Sequence, residues 1–428
     1  MSGLPFRPNP PRAAMAVVLA YTAPALGHLF PFCALLTELA SRGHRVHVRT
    51  LAAGVELCRE LGFAAEAVDP RIEALQSAGP PAGGVLRSAG NTVRVLGQCA
   101  QYEVDDFRDA VTEVGPDICV IDANSWGAQS AAETMPGPWV VLSPFIPYLR
   151  SPGSAPFGAG VAPRPGPIGL VRDWGIQLVT SVVFDLPFRS EISPVRKRLG
   201  LPKVRSAGQL LRRAPALLIA TGKPFEYRHT DWGPNVELMG PAAFDPPRTG
   251  DESWLDEIEA PIVLVTTSSL AQADNELVGT AIDALEGLPV HVVATLPGGG
   301  NVDVRQRPGA TLSRFTSHSA ILDRTVCVIT HGGMGITQKA LARGIPVCVV
   351  PFGRDQFEVA RRVEIARCGT RLPARRLTRA RLRAAVEEAM TMAEGAAAVA
   401  AGFEATGGVR RGADRVEGLL QKWPLRTP

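Results

Sequence analysis

Short, wholly apolar runs alternate along this chain with segments of helical period, and the alternation starts twice. An apolar run of five or six residues needs cover on both faces, which a parallel sheet between two helical layers provides. Residues 16–21 (AVVLAY) read as such a strand. The helix after it is predicted with Pro31 in its first turn, apolar Phe32, Leu35, Leu36 and Leu39, and Gly43 as its stop. Residues 45–50 alternate as a second strand, 55–61 followed by Gly62 form a second helix, and 63–68 a third strand. Runs at 117–122 and 138–143 flank a helical segment at 125–134. A Pro/Gly/Asp-rich piece, 240–251 (GPAAFDPPRTGD), has linker composition. Strand candidates then resume at 262–266, 290–295, 325–330 and 346–350, with helical segments near 275–286, 335–343 and 354–367. The pattern predicts an α/β chain of two Rossmann-like, doubly wound domains facing each other across a cleft.

The 428 residues allow two or three domains at about 150 residues each. With 46% hydrophobic and 20% charged residues, the chain is not disordered or fibrous. A net charge of +4 gives no broad field for nucleic acid. Only 5 of the 45 basic residues are Lys, a bias read as codon usage rather than chemistry. The seven cysteines (33, 58, 99, 119, 327, 348, 368) contain no CxxC pair and mostly sit in apolar runs, as buried thiols of a reducing, cytoplasmic compartment. The apolar stretch 13–19 behind Arg7 and Arg12 has signal-peptide character, but it opens the β/α pattern and is read as a strand. Residues 1–14 are read as a loose tail, with Met15 an alternative start. No uninterrupted apolar stretch reaches the ~18 residues of a membrane span. The pattern loosens over 70–110 and 144–190, where ligand-facing loops and short helices are predicted to carry Phe145, Tyr148, Phe157, Trp174, Phe184 and Phe188.

The strongest local signal is 326–341, VCVITHGGMGITQKAL, where a buried strand ends in His331 and the turn Gly332, Gly333, Gly335 opens a helix. Glycines there let a ligand approach the backbone, and amides at a helix start favour an anion such as a diphosphate. A tight strand-to-helix turn would also use them, so this motif alone does not settle the chemistry.

The segment resembles the C-terminal donor-binding motif of the UDP-glycosyltransferase superfamily (glycosyltransferase family 1, GT-B fold), especially actinobacterial natural-product glycosyltransferases. The family pattern HGGxGT, EAL, GVP, P and DQ stands here as HGGMGI at 331–336, KAL at 339–341, GIP at 344–346, Pro351 and DQ at 355–356. The family's GHxxP and RGHxV stand as GHLFP at 27–31 and RGHRV at 42–46. The resemblance implies an acceptor-binding domain over 15–239, a linker over 240–252, a nucleotide-sugar donor domain over 253–408, and a C-terminal helix over 409–428 crossing back to the first domain.

It further implies an inverting glycosyltransferase that moves a sugar from a UDP- or dTDP-sugar to a hydrophobic small-molecule acceptor. His28 would be the general base, supported by Asp122; His is the side chain suited to proton pickup near neutral pH. Gly27, Ser268, Ser269, Phe315, His318, His331, Gly332, Gly333, Gly335, Asp355 and Gln356 would contact the donor. Phe315 stands where the family often has a base-stacking Trp. Phe145, Tyr148, Phe157 and Trp174 would line the acceptor pocket. Two positions depart from the family: its Thr or Ser is Ile336 and its ribose-binding Glu is Lys339, expected to reach a phosphate or ribose oxygen. There is no DxD motif, so no metal is expected. The six arginines of 371–383 are read as a solvated face. A homodimer is compatible with all this. The alternatives are a catalytically silent nucleotide-sugar-binding auxiliary protein and a nucleotide-sugar epimerase of the same fold.

Overall fold

A computed structural model describes residues 15–78, 85–151, 154–247, 253–267, 275–296, 305–313 and 316–423. The first half holds strands β1 (Val17–Tyr21), β2 (Arg45–Thr50), β3 (Ala64–Ala67), β4 (Ile118–Asp122), β5 (Trp139–Ser143), β6 (Ala216–Ile219) and β7 (Val236–Leu238). Its helices are α1 (Leu26–Ser41), α2 (Val55–Glu60), α3 (Pro70–Ser77), α4 (Val85–Val114), α5 (Trp126–Ala132), α6 (Pro167–Thr180), α7 (Leu186–Arg198) and α8 (Ala207–Leu211). The strands form one sheet in the order β3-β2-β1-β4-β5-β6-β7, parallel throughout. Alternate β4 residues serve opposite cores: Ile118 and Val120 pack with α1, Cys119 and Ile121 with α4 and α5. Such two-sided burial is why the strands read as continuous apolar runs.

The second half holds β8 (Ile262–Thr266), β9 (His291–Thr295), β10 (Arg305–Arg307), β11 (Ala310–Ser313), β12 (Thr325–Thr330), β13 (Val347–Val349) and β14 (Gly369–Arg371). They are ordered β10-β11-β9-β8-β12-β13-β14, parallel except at the β10–β11 edge. Helices α9 (Asn275–Leu285), α10 (His318–Leu322), α11 (Met334–Leu341), α12 (Gln356–Ile365), α13 (Arg379–Met390), α14 (Ala393–Thr406) and α15 (Gly408–Leu420) complete the chain. The last of these packs back on α1, where Arg42 pairs with Asp414 at 2.6 Å and Glu417 at 2.8 Å.

Three sequence expectations change. Helix α1 begins at Leu26, so Pro31 lies in its second turn, where it removes the helical donor for the Gly27 carbonyl. The stretch 70–110 is not loops: α3 is followed by the 30-residue α4. Its glycines mark close packing, since a Cβ on Gly97 would collide with Glu191 of α7. Likewise 167–198 is one long helical rod, α6 and α7 joined through a π turn at Ser181–Asp185.

Candidate active site

In an open α/β sheet, ligands gather where strand order reverses. That point lies between β1 and β4 in the first sheet, and His28 and Asp122 sit there. The chain leaves β1 at Tyr21 and enters α1 at Leu26, so His28 falls in the first turn of the helix. Asp122 is the last residue of β4 and is fully buried. Its Oδ2 meets His28 Nδ1 at 2.8 Å, and its Oδ1 accepts the Asn124 N–H at 2.8 Å. Gln129 donates to the Asp122 and Ala123 carbonyls, fixing the turn that carries the carboxylate. The His28 side chain keeps 21% exposure, so it faces an opening rather than packed interior. Burial disfavours its charge, but Asp122, by charge and hydrogen bond, and Asp355 outweigh this and hold its pKa above the ordinary value.

The corresponding reversal in the second sheet lies between β8 and β12. Strand β12 runs into His331, and Gly332 turns the chain at φ +97°, donating its N–H to Thr330 Oγ1. A Cβ on Gly332 would strike Val349 at 2.9 Å; one on Gly333 would strike the His331 ring at 2.7 Å. The imidazole therefore lies over the start of α11. Gly335 in the first turn, like Gly27 across the cleft, has open space around it. Asp355 precedes α12, and burial raises its pKa. Its neighbour Arg354 is exposed and held at φ +55°, a conformation uncommon outside glycine. Both charges, from the other half, bear on the His28 pKa, Asp355 raising it and Arg354 lowering it. Gln356 uses Oε1 to accept the Phe352 and Gly353 N–H groups, shaping its own loop.

Lys339 is neither solvated nor unpartnered. Its ammonium pairs with Asp245 at 2.6 Å in the segment after β7, and Asp245 also accepts from Ser319 Oγ. The expectation that Lys339 reaches for phosphate or ribose meets an internal counter-ion that its sequence neighbourhood does not contain. His318 contacts Thr295 Oγ1 through Nε2 at 3.1 Å; burial and Lys339 push its pKa down to about 4, so the ring is neutral at pH 7. Ser268, Ser269 and Phe315 lie outside the described residues.

Phe145 sits beside the His28 ring, with centroids 5.5 Å apart. Tyr148 stacks on Phe184 at 5.4 Å and meets Phe157 edge-on at 5.9 Å. Trp174 does not join them: α6 turns it outward, and it is 71% exposed among other apolar side chains. Three further features escaped sequence reading. Glu103 of α4 is buried behind α5 and accepts the Gly127 N–H at 2.7 Å; burial pushes its pKa up to about 8. Glu226 and Glu358 grip Arg362 between the halves. Glu358 also holds the loop at 158–160. Glu103 gives the signal of a charged residue in an apolar helical stripe, which identifies no partner, and Glu226, in the turn after β6, gives none.

Among the described residues, no group of three or more His, Cys, Asp or Glu is placed to hold a metal ion, and no helix is long and apolar enough to cross a membrane.

Residues 279–406 match the model of the erythromycin biosynthesis protein CIII-like C-terminal domain. The chain is 30% identical to 4'-demethylrebeccamycin synthase of Lentzea aerocolonigenes over 87% of its own length and 91% of that protein's. Among solved structures, the glycotransferase of kitacinnamycin superposes with a TM-score of 0.72 at 22% identity, covering 95% of this chain and 99% of that one. The glycosyltransferase SsfS6 of Streptomyces sp. SF2575, complexed with thymidine diphosphate, gives 0.68 at 18% identity, covering 94% and 99%.

Proposed function

This chain belongs to the actinobacterial natural-product glycosyltransferases of GT-B fold, nucleotide-sugar-dependent enzymes, and on that premise we propose that it glycosylates a hydroxyl of a hydrophobic acceptor with inversion. The observation that carries this reading is the 2.8 Å contact of His28 with Asp122 at the first sheet's reversal point, under the charge of Asp355 from the other half. With Nδ1 facing a carboxylate, Nδ1 carries the proton and Nε2 is the basic atom. Nε2 takes the proton of the acceptor hydroxyl as its oxygen bonds the anomeric carbon. The bond from that carbon to the diphosphate breaks, and its electron pair leaves on the phosphate oxygen. Asp122 stabilises the imidazolium formed.

The donor is a UDP- or dTDP-sugar seated on the Gly332–Gly335 turn. There the amides of α11 and the His331 ring face the developing phosphate charge, so the step is proposed to need no metal. Asp355 and Gln356 hold sugar hydroxyls, while Gln356 Oε1 also accepts the Phe352 and Gly353 N–H groups of its own loop. A polyketide, macrolide, aromatic or lipid-like aglycone lies against Phe145, with the Tyr148 and Phe157 cluster shaping that side. The dTDP option draws support from SsfS6, which shares the fold and was crystallised with thymidine diphosphate.

The test is incubation with UDP- and dTDP-sugars and a panel of apolar alcohols and phenols, read by mass spectrometry for a glycosylated product. His28→Ala should lower turnover by about 10²–10⁴ while nucleotide binding persists. Near-normal transfer by that variant excludes His28 as the base.

A further inference from the structure

Among the described residues, two that are not glycine hold a positive φ, Arg354 at +55° and Arg367 at +52°. Arg367 follows the last turn of α12, where its N–H donates to the Glu364 carbonyl and that of Cys368 to the Val363 carbonyl. That is a helix stop, and the stop itself calls for a left-handed residue. Arg354 has no such role, because it stands before α12 rather than after it. The turn there is closed by other atoms: Gln356 Oε1 accepts from Phe352 and Gly353, and the Gln356 N–H donates to the Gly353 carbonyl. Glycine or asparagine at 354 would allow the same turn at lower cost. The backbone gains nothing from arginine at this position, so the reason for it lies in the side chain.

That side chain is exposed and makes no hydrogen bond or ion pair among the described residues. A Cβ on Gly332 would lie 3.2 Å from the Gln356 Cβ and 3.3 Å from its carbonyl oxygen, so the loop that carries Arg354 packs on the glycine turn where α11 begins. Its charge bears on Asp355 beside it and on His28 across the cleft. Loop position and charge together put the guanidinium between the base and the anion seat. Another cation near that seat is already committed: Lys339, one helical turn beyond Gly335 on the same face of α11, is held by Asp245 at 2.6 Å. A diphosphate on this turn meets backbone amides and the His331 ring, and Arg354 is the uncommitted charge next to them. A guanidinium presents paired N–H donors that match phosphate oxygens, and such charge-assisted hydrogen bonds are stronger than neutral ones. On the glycosyltransferase reading proposed for this chain, we infer that Arg354 is a catalytic residue. Its guanidinium closes on the diphosphate of the nucleotide sugar and stabilises the charge that builds there as the bond to the anomeric carbon breaks.

Calorimetric titration of the full chain with UDP, dTDP, uridine and thymidine, alongside transfer kinetics, tests this. Arg354→Gln is expected to weaken UDP and dTDP binding about tenfold or more while nucleoside binding stays unchanged. It should also lower kcat by about 10²–10³, and Arg354→Lys should restore part of both losses. Arg354→Gly relieves the backbone, so it is expected to unfold at a urea concentration no lower than that of the native chain while losing the same diphosphate affinity. Unchanged diphosphate affinity in the Gln variant overturns the inference, as does equal weakening of nucleoside and diphosphate. A KM rise confined to the acceptor also overturns it, and would assign the guanidinium to an anionic group of the acceptor. A native chain that binds neither UDP nor dTDP overturns the donor reading itself, whereas native binding with an unaffected variant overturns the role of Arg354 alone.

Discussion

Asp122 touches His28 through a single hydrogen bond, which makes its electrostatic effect separable from its shape. Asp122→Asn keeps the size and can keep the contact but removes the charge. Burial, which already opposes protonation, then faces only Asp355, so the His28 pKa falls. A base works when unprotonated; the acid limb of the kcat/KM profile is therefore expected to move to lower pH while its plateau drops by about 10²–10⁴. A limb that stays in place means another group titrates. Glu103 carries a different pH signature. Its folded pKa of about 8 lies above the ordinary carboxyl value, so between the two the native state binds the extra proton. Stability should fall as pH rises through that window, and Glu103→Gln removes the slope. The melting curves of the two proteins are expected to cross, the native chain at least as stable near pH 5 and the variant more stable near pH 9, as read by scanning fluorimetry. His28, Asp122 and the Gly332–Gly335 turn were legible because their chemistry lies within a few residues of a strand end. The Lys339–Asp245 pair was not, because its members stand 94 positions apart and only folding joins them.

At the level of elements, strands β1, β4, β5, β8, β9, β12 and β13 were readable, since two-sided burial leaves a largely apolar run, and β2 was readable from its alternation. The long helices α4 and α6 were not, because glycine and proline usually break helices and here permit close packing instead. Gly127 shows the same logic: a Cβ there would collide with the Ala100 carbonyl of α4. The loop before α6 is where such contacts bear on chemistry. Glu358 Oε1 accepts the N–H groups of Gly158 and Gly160, both at 2.9 Å, and Arg361 donates to the Gly160 carbonyl at 2.8 Å. This clamp ties the loop of Phe157 to the helix that follows Asp355. Gly160 has φ +54°, and a Cβ on it would lie 2.5 Å from the Phe357 carbonyl. Gly160→Ala should therefore lift the loop from α12, at a cost of about 1–2 kcal/mol for the left-handed conformation alone. The expected kinetic outcome is a raised KM for acceptor with little change in KM for the nucleotide sugar. Equal effects on both would show that the loop does not serve the acceptor side.

Across the whole molecule, the halves are joined by more than the segment after β7. Arg362 of α12 donates to Glu226 through Nε at 2.8 Å and Nη2 at 3.0 Å, and to Glu358 through Nη1 at 3.1 Å. Its guanidinium lies 4.2 Å from the Tyr227 ring centroid, and all three charged groups are buried. Gln338 adds a hydrogen bond to the Ala220 carbonyl, and α15 closes over α1. The return of α15 was implied by the family resemblance, but the Arg362–Glu226 and Gln338–Ala220 contacts could not be located from sequence, because their partners belong to different halves. One guanidinium compensates two carboxylates, so the cluster is unforgiving of partial removal. Arg362→Met leaves Glu226 and Glu358 facing each other without a counter-ion, and losing one partner of a buried ion pair costs about 3–5 kcal/mol. Replacing all three as Arg362→Met/Glu226→Gln/Glu358→Gln removes the stranded charges. The triple variant is expected to recover most of that loss in urea unfolding, although the Glu358 contacts to Gly158 and Gly160 then rest on a neutral amide. Were the single variant as stable as the native chain, the charge cluster would not be what holds the two halves in register around His28.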